Sequence, residues 1–162
     1  MKAVVQRVAR GEVRVAGEVV GRVGYGMLIL LGIMRGDGER QADALAARIA
    51  RFRFFPDDEG RMNRAAREVG AGALVVSQFT LAADGRKGRR PSFDRAAPPD
   101  LAEALYEHFA HALTDAGLAT QTGRFGALME VETVGDGPVT FVLEELPEPR
   151  PQEAPNPPKS LD

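Results

Sequence analysis

The first third of the chain alternates apolar and polar positions. EVRV (Glu12–Val15) and EVVGRV (Glu18–Val23) flank Ala16-Gly17, a pattern that predicts two half-buried strands joined as a hairpin. GMLILLGI (Gly26–Ile33) is apolar at nearly every position and predicts a strand covered on both faces. The period then lengthens. Ala42, Leu45, Ala46, Ile49 and Phe52 recur at helical spacing, and Pro56 stands beyond them as a stop. The following stretch, DDEGRMNRAAREVGAG, has no sustained period and reads as a loop with at most a short helical turn before the strand ALVVSQFT.

A second helix has clearer ends, with Asp100 as N-cap, Glu103 completing a capping box and Gly117 as the stop. Its stripe is Leu101, Leu105, Phe109, Ala112 and Leu113. Two strands then follow. Met129, Val131 and Thr133 share one face of MEVETV, and Val139, Phe141 and Leu143 one face of PVTFVLE, with Gly135-Asp136-Gly137-Pro138 joining the two. From Pro147 the composition changes to PEPRPQEAPNPPKSLD, which has too little apolar surface to offset its ordering entropy. The expected organisation is one domain over residues 1–146 and a Pro-rich, disordered tail over 147–162.

Composition narrows the chemistry. The 162 residues are 44% hydrophobic and 27% charged, ordinary for one soluble domain. The absence of cysteine excludes disulfides, thiolate metal sites and cysteine nucleophiles. No segment has membrane-spanning length or a leader-like apolar run, so a cytoplasmic protein without membrane contact is expected. The net charge of −2 neither requires nor excludes a nucleic-acid partner. GxxxxGK[ST], HExxH and GxSxG are all absent, and the glycines of GRVGYG are spaced as a turn rather than a dinucleotide loop. His108 and His111 lie one helical turn apart, but no carboxylate pattern completes a metal site around them, and no metal or other cofactor is expected.

Three stretches remain. Ser77, Gln78 and Thr80 end an apolar strand abruptly; polar residues there either satisfy backbone groups or form the floor of a site. Arg86, Lys87, Arg89 and Arg90 crowd one loop, as a solvated basic turn or as a clamp on phosphates. Gly137-Pro138 is either a plain turn or a cis peptide.

Together these stretches resemble the D-aminoacyl-tRNA deacylase family. The resemblance runs through AVVQRV, LLGI, EGRMN, SQFTLAAD, GRRPSF, ALYEHF, QTGRFGA and GPVTFVLE, and its signature motifs are SQFT (Ser77, Gln78, Phe79, Thr80) and GPVT (Gly137–Thr140). It implies an α/β fold, a β-barrel-like sheet arrangement with flanking helices, assembled as a homodimer. The implied activity is hydrolysis of D-aminoacyl-tRNA to free D-amino acid and tRNA, with L-aminoacyl-tRNA rejected and glycine removed from mischarged tRNA. It implies a cis Gly137-Pro138 that projects into the site of the other subunit and selects chirality, held in place by Arg7. The partner is then the acceptor end of aminoacyl-tRNA, with Arg86, Lys87, Arg89 and Arg90 as phosphate contacts.

Within that resemblance, main-chain N–H groups around Phe79 and Thr80 are suited to stabilise an oxyanion. Thr80 is either a nucleophile or part of the floor over which water attacks with help from the ribose 2′-hydroxyl; no base lies near it in sequence, which favours the floor. The sequence departs from the family at Gly135, where an Asn is usual two residues before the Gly-Pro.

Overall fold

The computed structural model describes residues 1–86 and 89–147. Lys87 of the basic loop, and all of the Pro-rich tail after Pro147, lie outside the described residues.

A single long strand, β1 (Lys2–Val15), organises the sheet. Its second half forms the expected hairpin with β2 (Glu18–Val23), and its first half pairs antiparallel with β3 (Gly26–Gly32). After helix α1 (Glu39–Arg51) come β4 (Arg53–Pro56), β5 (Met62–Ala65), a 3-10 turn over Ala66–Val69, and β6 (Gly72–Ser77). A second 3-10 turn over Phe79–Ala82 leads through a loop to α2 (Pro99–Asp115), then to β7 (Thr120–Thr122) and β8 (Glu130–Glu144). β6 joins β3 in parallel, and β7 joins β6 in parallel.

The sheet nearly closes because β2 reaches β7. The Arg22 amide donates to Gln121 Oε1 at 2.9 Å, and Gly21 passes so close that a Cβ there would overlap the Thr122 carbonyl oxygen. Only glycine permits that approach. The result is the barrel-like α/β arrangement with flanking helices that the resemblance implied.

The run read as buried on both faces is so. Met27, Ile29 and Leu31 of β3 join Ala73 and Val75 of β6 in a core under the helices. Leu28, Leu74 and Val76 point the other way, with Val8, Val13 and Val23, into a second core inside the sheet. Successive strand residues face opposite sides, so one apolar run serves two cores.

Both helices differ from expectation at their ends. α1 stops at Arg51, and Phe52 already has extended backbone, so the chain turns into β4 well before Pro56. α2 starts at Pro99 after Pro98, which places Asp100 inside the first turn rather than at the cap. Proline suits a first helical position because its missing N–H would have no partner there. Leu101 is exposed, whereas Tyr106 and Ala110 are buried in the stripe.

The stretch read as a loop after Pro56 is instead a hairpin. Asp57 organises it: Oδ1 accepts the amides of Glu59 (2.9 Å) and Arg61 (3.0 Å), which aligns β5 on β4. These bonds, that from Arg61 foremost, hold the Asp57 carboxyl below its ordinary range.

The largest correction concerns β8. The two strands expected over 129–134 and 138–144 are one strand, antiparallel to β1 along its whole length. Thr140 pairs with Gln6 and Gly135 with Val8, so Arg7 alone faces the excursion Asp136–Val139. Gly135-Asp136-Gly137-Pro138 is therefore no hairpin turn but part of a wide bulge in a continuous strand.

Candidate active site

β6 delivers Ser77 to the rim of a cleft of about 680 Å³. Ser77, Gln78 and Phe79 form one side, and Ala97, Pro99 and Ala102, at and before the start of α2, form another. The third side is the segment from Phe125 to Met129, with Val131 at the start of β8. Among the described residues no lining side chain is an acid, a base or a tyrosine.

The SQFT backbone is fixed at both ends. The Gln78 amide donates to the Leu31 carbonyl at 2.8 Å, and the Gln78 carbonyl accepts from Leu81 at 3.2 Å. Phe79 and Thr80 open the 3-10 turn, and no described residue accepts a hydrogen bond from either amide. Starting residues of a helical turn lack internal acceptors, so two donors are left together at the cleft rim. The Thr80 hydroxyl is already engaged, accepting from Gln78 Nε2 at 2.5 Å. Thr80 itself is exposed and is not among the lining residues.

Tyr106 ties the walls together. Its buried hydroxyl donates to the Val75 carbonyl at 2.8 Å, two residues before Ser77, and its ring lies 5.8 Å from that of Phe125. Burial pushes its pKa up to about 12, so it is a permanent donor. Nothing in the sequence marks Tyr106 for this role, although ALYEHF contains it; an aromatic flanking a helical stripe carries no sign of what its hydroxyl meets.

Arg7 continues the helix-side face of Ala3 and Val5 and is itself only 9% exposed. Nη1 donates to the Phe54 carbonyl at 2.7 Å, and Nε lies 2.8 Å from Asp136 Oδ2 as an ion pair whose N–H points away from the carboxylate. Asp136 is thus a partner of Arg7 that sequence reading missed. Gly137-Pro138 is cis, and Gly137 holds φ +129 with Arg7 Nη2 3.5 Å from where a Cβ would stand. Tyr25 flanks this group; burial raises its hydroxyl pKa first, the Asp136 charge second, with Arg7 opposing.

Gly137 and Pro138 are not among the residues that line the cleft of their own chain. Val131 lines the cleft, and Gly137 comes six positions later on the same extended strand.

The basic loop stands beside the cleft. Asp84 and Ser92 close its neck by exchanging backbone hydrogen bonds of 2.8 and 2.9 Å, and Phe93 packs edge-on against Phe79 at 5.0 Å. Arg86 is folded back onto Asp84, which holds that carboxyl well below the usual range, so this guanidinium is already engaged by a carboxylate. Arg89 and Arg90 are exposed, and Lys87 lies outside the described residues. On the opposite flank His108 Nε2 meets Asp43 Oδ1 at 2.7 Å, linking α2 to α1.

A cleft with fixed backbone donors and no titratable side chain fits hydrolysis of an already activated ester, where positioning rather than proton abstraction by the protein lowers the barrier. Comparison with known proteins agrees. Residues 4–144 match the family described as D-Tyr-tRNA(Tyr) deacylase. The chain is 56% identical to a D-aminoacyl-tRNA deacylase of Cereibacter sphaeroides over 89% of its length and 99% of that protein. It is 57% identical to one of Dinoroseobacter shibae, with the same coverage of both chains. Among solved structures it resembles the c-Myc DNA Unwinding Element Binding Protein, with TM-score 0.84, 38% identity, and coverage of 90% of this chain and 99% of that one. A probable eukaryotic D-amino acid tRNA deacylase shares the fold at TM-score 0.76 and 18% identity, covering 89% of this chain and 98% of that one. The chain belongs to the D-Tyr-tRNA(Tyr) deacylase family, whose members are hydrolases of aminoacyl-tRNA esters.

Proposed function

We propose that this chain hydrolyses D-aminoacyl-tRNA in the cytoplasm and spares the L-form, with residues 1–146 as the unit that carries the activity. The observation that carries this reading is the pair of unengaged amides, of Phe79 and Thr80, at the rim of a cleft lined by no acid or base. The ester carbonyl oxygen docks on those two N–H groups. Water adds to the carbonyl carbon, the growing negative charge is met by fixed donors, and the bond to the ribose oxygen breaks as that oxygen takes a proton. With the Thr80 hydroxyl engaged by Gln78 and no base beside it, proton handling falls to the ribose 2′-hydroxyl, and Ser77, Gln78 and Thr80 serve as floor.

The working unit is a homodimer in which Gly137-Pro138 of one copy completes the cleft of the other. Its support is that Gly137 and Pro138 do not line the cleft of their own chain. Further support comes from β8, which pairs only with β1 among the described strands and carries half-exposed Val131 and Val134. Backbone carbonyls of Gly137 and Pro138 accept from the substrate amino group, and their bulk occupies the space that an L side chain needs. Arg7 and Asp136 hold the segment. Glycine has no side chain to exclude, so glycyl-tRNA is also hydrolysed. Lys87, Arg89 and Arg90 of the basic loop contact acceptor-end phosphates, while Arg86 does so only when released from Asp84.

The test compares Thr80→Ala with wild type on a D-aminoacyl-tRNA ending in adenosine and on its 2′-deoxyadenosine counterpart. The floor reading predicts loss of less than about tenfold for Thr80→Ala, about 1.4 kcal/mol of barrier, and a far larger loss for the deoxy substrate. The reverse pattern would make Thr80 the nucleophile.

A further inference from the structure

Away from the cleft, a depression of about 630 Å³ is lined by Arg51 at the end of α1, Arg53 on β4 and Arg67 in the first 3-10 turn. All three are exposed. Their setting differs from that of many other surface arginines. Arg10, Arg14, Arg48, Arg61, Arg64 and Arg86 each meet a carboxylate. Among the described residues Arg51, Arg53 and Arg67 meet none: Arg51 and Arg53 donate only to the carbonyls of Ala47 and Asn63. The one carboxylate in the lining, Glu68, is occupied by the Ala65 amide at 2.6 Å. A concave surface that gathers three guanidinium groups against one carboxylate carries net positive charge and suits a polyanion.

Its place in the fold indicates which one. α2 starts at the cleft with Pro99 and ends at the depression, where Ala116 lines it. At about 1.5 Å per residue the helix sets the two roughly 25 Å apart. The depression is nevertheless close to the selectivity segment, because Arg53 precedes Phe54, whose carbonyl accepts from Arg7, the partner of Asp136. If Gly137-Pro138 completes the other copy's cleft, this arginine surface stands beside the neighbour's substrate and not its own.

We infer that Arg51, Arg53 and Arg67 bind the sugar-phosphate backbone of a tRNA whose 3′ end occupies the cleft of the other subunit. Each tRNA then touches both copies, and the arginines grip the paired part of the RNA rather than the ester. This assignment rests on the shared-site reading above.

The test uses the full-length protein with Arg51→Gln/Arg67→Gln and, beside it, Arg51→Lys/Arg67→Lys. Arg53 is left in place because its bond to Asn63 supports the hairpin. Uncharged tRNA binding is measured against salt, and hydrolysis is compared on D-aminoacyl-tRNA and on a D-aminoacyl ester of a short CCA oligonucleotide. The Gln pair is expected to weaken tRNA binding about tenfold or more and to flatten the log–log salt slope by about 0.7–0.9 for each phosphate no longer neutralised. The KM for whole tRNA rises while turnover of the short ester holds, and the Lys pair restores most of the binding. Unchanged binding and slope for the Gln pair would overturn the inference, as would equal losses on both substrates or a Lys pair as weak as the Gln pair. Failure of the wild type to hydrolyse either ester would instead sink the functional reading, while the binding measurement still decides the role of the arginines.

Discussion

Replacing Arg7 with Met separates its charge from its bulk. The variant keeps an apolar stem of similar length and removes the guanidinium that joins the Phe54 carbonyl to Asp136. Phe54 is buried, so its carbonyl loses a charge-assisted partner in a place water reaches poorly. That costs about 1–3 kcal/mol. The Asp136 carboxylate is 36% exposed and rehydrates when the pair is broken, which adds no more than about 1 kcal/mol. The expected total is about 1–4 kcal/mol, a fall in Tm of roughly 2–16 °C for a chain of this size. Measured at one fixed protein concentration, the fall should come with a drop in preference for D- over L-aminoacyl-tRNA, since the Gly137-Pro138 segment proposed to select chirality loses its anchor. Asp136→Asn, which leaves the Phe54 bond intact, should cost less than about 1 kcal/mol. An Arg7→Met protein within about 1 °C of wild type and equally selective would refute the reasoning.

Other expectations follow from single contacts. Gly21→Ala drives a Cβ onto the Thr122 carbonyl and should cost about 2–3 kcal/mol by prising β2 from β7, read by denaturant unfolding. Tyr106→Phe leaves the Val75 carbonyl still accepting from Gly123 at 2.9 Å, so the stability loss should be only about 1 kcal/mol. A rise in KM of a few-fold is expected as the Phe125 wall loosens, visible in steady-state kinetics. The depressed pKa of Asp84 means that the stability its pairing with Arg86 contributes is fully present above the ordinary carboxylate pKa of about 3.9 and is lost as pH falls from there through the depressed pKa. Asp84→Asn should therefore free Arg86 and steepen the salt dependence of tRNA binding at neutral pH; an unchanged slope would count against the loop as a phosphate contact. Gly135→Asn, where a side chain would meet nothing within 4 Å, should fold with unchanged or slightly raised stability in thermal melts.

Much of the architecture is legible in the sequence because periodicity reports burial. GMLILLGI fits a strand covered on both faces, and the α1 stripe names residues of the core under the helices. The hairpin after Pro56 is not legible, since its strands are short and polar and its alignment comes from one carboxylate, Asp57, gathering amides of residues further on. β8 reads as two strands because Gly and Pro normally punctuate, and nothing local shows that β1 continues past the break and holds both halves in register. The SQFT and GPVT motifs are legible as stretches, but that Ser77, Gln78 and Phe79 line the cleft while Gly137 and Pro138 of the same chain do not is set by tertiary structure. Likewise Arg86 reads as a free cation although Asp84 stands two residues before it; the spacing allows the fold-back without requiring it.

The most direct test of the central claim is single-turnover hydrolysis of one tRNA carrying D-tyrosine or L-tyrosine by the purified protein. The account predicts cleavage of the D ester with the L ester spared by more than about a hundredfold, close to 2.7 kcal/mol of discrimination. Equal rates for the two esters, or binding of both with cleavage of neither, would contradict it.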